Sequence, residues 1–132
     1  MICLIVTGKP RFNKNVSLEL FRFCNKIGTT VVGGLSKLLS HLNNTGSIIS
    51  YSDLRYGTGA SYTNCGFTFC NRTEPSYHYI YQNKRFNRLQ FQKHLLKDKL
   101  QLFDENLTEW ENMQLNGYDR IWDCGNNVYI KS

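Results

Sequence analysis

Long apolar runs, paired cysteines and internal repeats are all missing from this 132-residue chain. The opening MICLIV is apolar but far too short for a signal peptide or a membrane span. It reads instead as a strand, Ile2–Val6, halted by Gly8 and Pro10. No CxxC pair occurs among Cys3, Cys24, Cys65, Cys70 and Cys124, and the step from Cys65 to Cys70 is not zinc spacing. His41, His78 and His94 complete no zinc-finger pattern with them, so no metal site is expected. An odd number of irregularly spaced thiols fits a reducing cytoplasm. Nuclease signatures are absent as well: there is no HNH spacing, no GIY-YIG and no carboxylate cluster around a metal. With no linker or low-complexity tract either, residues 1–132 are expected to form one domain. About 104–132 would add a helix and a short hairpin to it.

Acids are scarce where bases gather. Six basic residues from Lys9 to Lys37 face Glu19 alone, and six from Lys84 to Lys99 face Asp98 alone. Between Asp104 and Asp123 the balance reverses, with six acids against Arg120. Over the whole chain Lys and Arg exceed Asp and Glu by 16 to 10, a surplus concentrated in those two stretches. A basic body with an acidic C-terminal segment fits a polyanion, usually nucleic acid; a merely solvated basic surface is the plain alternative. The residues expected to meet phosphates are Arg11, Lys14, Arg22, Lys26, Lys84, Arg85, Arg88 and Lys93. Just before the second group Tyr77, Tyr79 and Tyr81 share one strand face, where they could stack bases or simply fill a core. Gln90 and Gln92 follow, and such amides can read base edges.

Periodicity supplies the elements. Val16, Leu20, Phe23 and Ile27 fall on one side of a helix over Ser17–Ile27, closed by Gly28. Leu35, Leu38, Leu39 and Leu42 repeat at i, i+3, i+4, i+7, which predicts a helix over Gly34–Leu42, broken by Asn43-Asn44-Thr45-Gly46. Ser47–Ser52 reads as a central strand, and Ala60–Asn64 as little more than a short helix. Phe67–Asn71 and Ser76–Gln82 read as a strand pair, with Thr73-Glu74-Pro75 between them. A helix over Arg88–Leu102 would bury Leu89, Leu96, Leu100 and Phe103. Thr108 with Glu111 is a capping box opening a helix over Glu109–Asn116. Arg120–Trp122 and Asn127–Ile130 would close the chain as a hairpin. The fold class is therefore α/β, a short mixed or antiparallel sheet flanked by helices.

Three local patterns could carry chemistry. Gly33-Gly34 opens a helix, and the free N–H groups of a helix N-terminus bind phosphate; the same glycines also serve tight packing. Tyr62, Gly66 and Phe67 form Y-x-x-x-G-F, and a phenol, with its pKa near ~10, starts protonated and suits a general acid. The alternative for Tyr62 is core packing. In Ser50-Tyr51-Ser52-Asp53-Leu54-Arg55-Tyr56-Gly57, Asp53 ends a strand, where a carboxylate can orient an amine; an Asp53–Arg55 pair holding a loop competes with that.

Glycine-opened helix, strand, short helix and glycine hook, from Val31 to Phe67, resemble the cofactor half of GNAT acyltransferases. The phrase around Asp53, followed by Tyr62 and Gly66-Phe67, is similar to the bacteriophage Mom proteins, GNAT-like proteins that modify the exocyclic amine of adenine in DNA. Arg11-Phe12-Asn13-Lys14, Leu20–Cys24, Gly33–Leu38 and Tyr118–Asn126 widen the likeness to a phage module that commonly follows HNH-type or Vsr-like homing nuclease domains. The resemblance implies a small GNAT-like sheet without the first GNAT strands. It also implies Asp53 and Tyr62 as catalytic residues, and Gly33, Gly34, Leu35, Ser36 and Lys37 as the cofactor loop. Acetyl-coenzyme A would be the cofactor, although Thr29, Thr30 and Val31 stand where the family carries a basic residue.

Two classes of function follow. One is a Mom-like transferase acting on a nucleobase or another amine; the other is a GNAT-derived module that binds nucleic acid or a host protein without chemistry. Blocking a host defence would be one use of the second. A half-sized sheet leaves an edge that a second copy could pair, so a homodimer is compatible with both.

Overall fold

A computed structural model describes residues 1–42 and 46–132. The expected helix break at Asn43, Asn44 and Thr45 lies outside the described residues. The fold is mixed α/β and divides into two compact units, Met1–Glu74 with Gly125–Ser132, and Pro75–Cys124.

The first unit holds β1 (Cys3–Gly8), β2 (Leu18–Asn25), α1 (Gly34–Ser40), β3 (Ile48–Asp53), α2 (Ala60–Asn64), β4 (Thr68–Arg72) and, from the far end of the chain, β8 (Asn126–Lys131). Its sheet runs β1-β2-β3-β8-β4. β2 and β3 are parallel with α1 between them in sequence, and the other three pairs are antiparallel. Leu35 and Leu39 of α1 bury against Leu20, Ile48, Phe67 and Tyr129, with Leu42 and Tyr62 packed around them. Each such leucine contributes about 1.5–3 kcal/mol of burial. Three of the four expected leucines thus lie in or against the core, while Leu38 is half-buried outside that cluster.

Where a helix was expected over Ser17–Ile27 there is a strand. β2 pairs with β1 through Val6↔Arg22 and Thr7↔Leu20, so Phe21 is one residue too many. That bulge resets the alternation. Leu18, Leu20 and Phe23 all join the core cluster, and the three-residue step from Leu20 to Phe23 imitates helical spacing. Ile27, the last member of the supposed stripe, is 98% exposed.

The second unit holds β5 (Tyr77–Tyr81), β6 (Lys84–Asn87), a 3-10 turn (Arg88–Phe91), α3 (Lys93–Lys99), α4 (Glu109–Leu115) and β7 (Asp119–Trp122), with sheet order β6-β5-β7. Tyr79, Phe91, Leu96 and Met113 form its core. Tyr79 is fully buried, so the middle of the tyrosine face is core. β5 does not pair with β4. Both of its edges are taken, by β6 and β7, while β4 pairs with β8. The expected closing hairpin is likewise replaced: β7 joins β5, and β8 enters the middle of the other sheet.

The single helix expected over Arg88–Leu102 is also divided. β6 reaches Asn87 through a two-residue turn at Gln82-Asn83, both with positive φ (47° and 62°), the geometry of a tight hairpin. Asn87 Oδ1 accepts from Leu89 N–H at 3.0 Å and starts the 3-10 turn, and Gln92 is extended before α3 begins. The tighter winding turns Phe91 inward and leaves Leu89 58% exposed. α4 opens on the expected capping box: Thr108 Oγ1 accepts from Glu111 N–H, and the Glu111 carboxylate accepts from Thr108 N–H. The Thr108 N–H, and after it the Thr108 hydroxyl, which donates to Glu111 Oε2 at 2.7 Å, hold the Glu111 carboxyl below the usual range.

Candidate functional site

In the first unit α1 spans seven residues and its glycines have structural duties. Gly33 caps it at φ +69°, in the left-handed region, and Gly34 N–H donates to Val31 carbonyl oxygen at 3.1 Å. A Cβ on Gly34 would stand 3.1 Å from Val31 Cγ1 and 3.3 Å from Cys3 Sγ, so the glycine lets the helix close on its neighbours. Leu35 is buried in the core, Ser36 Oγ lies 3.3 Å from Cys65 Sγ, and Lys37 is exposed. Of the five residues expected to hold a cofactor, Lys37 is exposed with no side-chain partner among the described residues, while Gly34 has already spent its N–H.

Tyr62 packs with ring centroids 5.5 Å from Phe67 and 5.6 Å from Tyr129. Tyr129 stands opposite Ser50 in the β3–β8 ladder, which places Ser50, Tyr129 and Tyr62 on the helix-covered face. Alternation sends Tyr51 and Asp53 to the other face. Asp53 Oδ1 accepts from Arg55 N–H at 2.9 Å, an Asx turn that shapes the loop. Asp53 and Tyr62 are therefore not brought together. Next along the strand, burial first and Glu19 second push the Tyr51 phenol upward, while Arg11 opposes them.

All eight residues expected to meet phosphates are exposed, four in each unit. Two already have hydrogen-bond partners. Arg11 forks onto the buried Glu19 carboxylate, with Nη2 2.6 Å and Nε 2.9 Å from Oε1, and its own N–H reaches Oε2 at 2.8 Å. Lys93 Nζ donates to Glu105 carbonyl oxygen at 3.0 Å. Among the described residues no acid pairs with Lys14, Arg22, Lys26, Lys84, Arg85 or Arg88. In the β5–β6 ladder Arg85 lies opposite Ile80 and Lys84 opposite Tyr81.

The second unit also carries a constellation that sequence reasoning missed. The Arg120 guanidinium lies 4.0 Å from the Trp110 ring centroid and 4.4 Å from that of Tyr77. Trp122 meets Tyr77 at 4.8 Å on one side, and Arg88 lies over it at 5.4 Å. Glu109 Oε1 accepts from Tyr79 Oη at 2.6 Å and from Tyr77 Oη at 3.3 Å. Burial foremost, then the Glu109 hydrogen bond, pushes the Tyr79 phenol well above its ordinary pKa. Tyr77, Arg88, Leu89, Gln92 and Glu109 line a cleft of about 200 Å³ beside this cluster. The available signal was the two-residue step from Arg120 to Trp122, which puts both on the strand face that meets Tyr79 and Tyr77.

No helix among the described residues is long and apolar enough to cross a membrane, and none of their His, Cys, Asp and Glu side chains group as a metal site. No family model matches the chain, and no curated protein matches it in sequence.

Proposed function

We propose that the chain is a non-catalytic nucleic-acid-binding module on a GNAT-like frame of the phage type, acting in the cytoplasm. The observation that carries this reading is that six of the eight residues expected to meet phosphates, Lys14, Arg22, Lys26, Lys84, Arg85 and Arg88, are exposed with neither an acidic partner nor a side-chain hydrogen bond among the described residues. Exposed arginines and lysines left unpaired are free to neutralise phosphates, and each contact gains by releasing condensed counterions. The order α1, β3, α2 and glycine hook supports the GNAT-like part of the proposal. Against retained transferase chemistry stand the opposite faces of Asp53 and Tyr62 and the spent N–H of Gly34.

Fluorescence anisotropy with labelled DNA, double- and single-stranded, tests the reading. Binding should appear at low salt, and Lys84→Ala with Arg85→Ala should weaken it about equally for every sequence. Replacing the exposed Glu105, in the acidic segment, should leave it intact. Absence of binding at low salt would leave a protein partner, or a second copy of the chain, as the better account of the basic surface.

A further inference from the structure

We propose that the cleft lined by Tyr77, Arg88, Leu89, Gln92 and Glu109 seats one unpaired nucleobase that carries an exocyclic amino group. This rests on the reading of the chain as a nucleic-acid-binding module and names what one part of it holds.

Glu109 supplies the selectivity. Its Oε1 is taken by the hydroxyls of Tyr79 and Tyr77, and among the described residues its Oε2 accepts nothing. An ionised carboxylate can only accept, so the free oxygen calls for a donor. The amino groups of cytosine, adenine and guanine are such donors, whereas thymine offers a single N3–H flanked by two carbonyl oxygens that a carboxylate repels.

Arg88 supplies the platform. Its guanidinium lies over Tyr77, and Tyr77 is backed by Trp122 and Arg120. A base stacked on the guanidinium plane would extend that column. The Gln92 side chain, which has no hydrogen-bond partner among the described residues, can donate to a ring carbonyl or accept from a second amine. The cleft volume matches about six or seven waters at ~30 Å³ each, which suits one planar ring system and not a folded chain.

Other occupants fit less well. A phosphate would meet the Glu109 carboxylate. A cation would meet Arg88, and the nearby aromatic box already contains Arg120.

The test measures anisotropy of oligo(dC), oligo(dA) and oligo(dT), with the mononucleotide dCMP as competitor. The native chain should bind the first two about tenfold more tightly than oligo(dT), the size of one charge-assisted hydrogen bond. Glu109→Gln removes the charged acceptor, and where the amide oxygen keeps the tyrosine hydroxyls its NH₂ faces the cleft, so the preference should fall and turn toward oligo(dT). If that variant fails to fold, Leu89→Trp, at an exposed position on the cleft wall, should fill the cleft and level the three affinities while binding stays salt-dependent. Equal native affinities for the three oligomers, or a preference unmoved by both variants, would overturn the base seat and leave phosphate binding standing. No binding of any oligomer at low salt would overturn the parent reading. Competition by dCMP as strong as by oligo(dC) would assign the cleft to a free nucleotide and overturn a strand-bound base.

Discussion

Ser50 stands opposite Tyr129 in the β3–β8 ladder, and that pairing fixes the face of every residue in the phrase Ser50-Tyr51-Ser52-Asp53. Tyr129 packs on Tyr62, and Asp53 pairs across to Asn126 on the reverse side. An acid and a base that must act on one substrate cannot do so through a sheet. Tyr62 Oη has no hydrogen-bond partner among the described residues, so Tyr62→Phe should keep the ring contacts with Phe67 and Tyr129 and lose nothing else. The expected outcome is a melting temperature and a DNA affinity close to those of the native chain. A large loss of either would restore a role for the hydroxyl.

Arg11 behaves differently from the other cations. Its fork holds a fully buried Glu19, so Arg11→Ala strands a carboxylate that keeps few donors. For a wholly buried pair that costs about 3–5 kcal/mol; Arg11 is itself half exposed, and water reaching Glu19 should reduce the loss to about 1–3 kcal/mol. Lys14→Ala, three residues on, should change stability by less than about 0.5 kcal/mol. Urea unfolding of the two variants decides this, and equal effects would show that the fork does not hold the loop.

Tyr79 makes alkaline stability a readout of the second unit. Its phenol is raised in the folded state, chiefly by burial, while the unfolded phenol titrates near ~10. Above that pH the unfolded chain binds fewer protons than the folded one, so stability falls as pH rises; below it the contribution is fully present. Tyr79→Phe should cost about 1–3 kcal/mol near neutrality through the lost Glu109 hydrogen bond. The variant's stability should then decline less steeply than the native chain's above pH ~10. Parallel declines would place the alkaline sensitivity elsewhere.

The parts of the fold legible in the sequence are those whose signals are local. The α1 helix with its buried Leu35 and Leu39, the short α2 and the Thr108–Glu111 capping box each lie within a few residues, and each stands in the structure where its pattern puts it. What failed depends on distant partners. Phe21 bulges because β1 pairs beside it, and no window around Leu20 contains that fact. β8 is central only because β3 and β4 lie on either side of it, far back in the chain. The β5–β6 hairpin was within reach: Asn83 tolerates a left-handed backbone, but Gln82 before it hides the turn. The candidate residues show the same division. The exposure of Lys84 and Arg85 follows from local composition, whereas the Glu109, Tyr77 and Arg120 cluster forms only when α4 and β7 meet β5.

The salt dependence of DNA binding tests the central claim most directly. Plotted as log affinity against log salt, the native chain should fall linearly. Lys84→Ala with Arg85→Ala should flatten that slope by about 0.7–0.9 for each cation removed, uniformly across sequences. An affinity that ignores salt, or a slope unchanged by the double substitution, would contradict the assignment of this surface to phosphates.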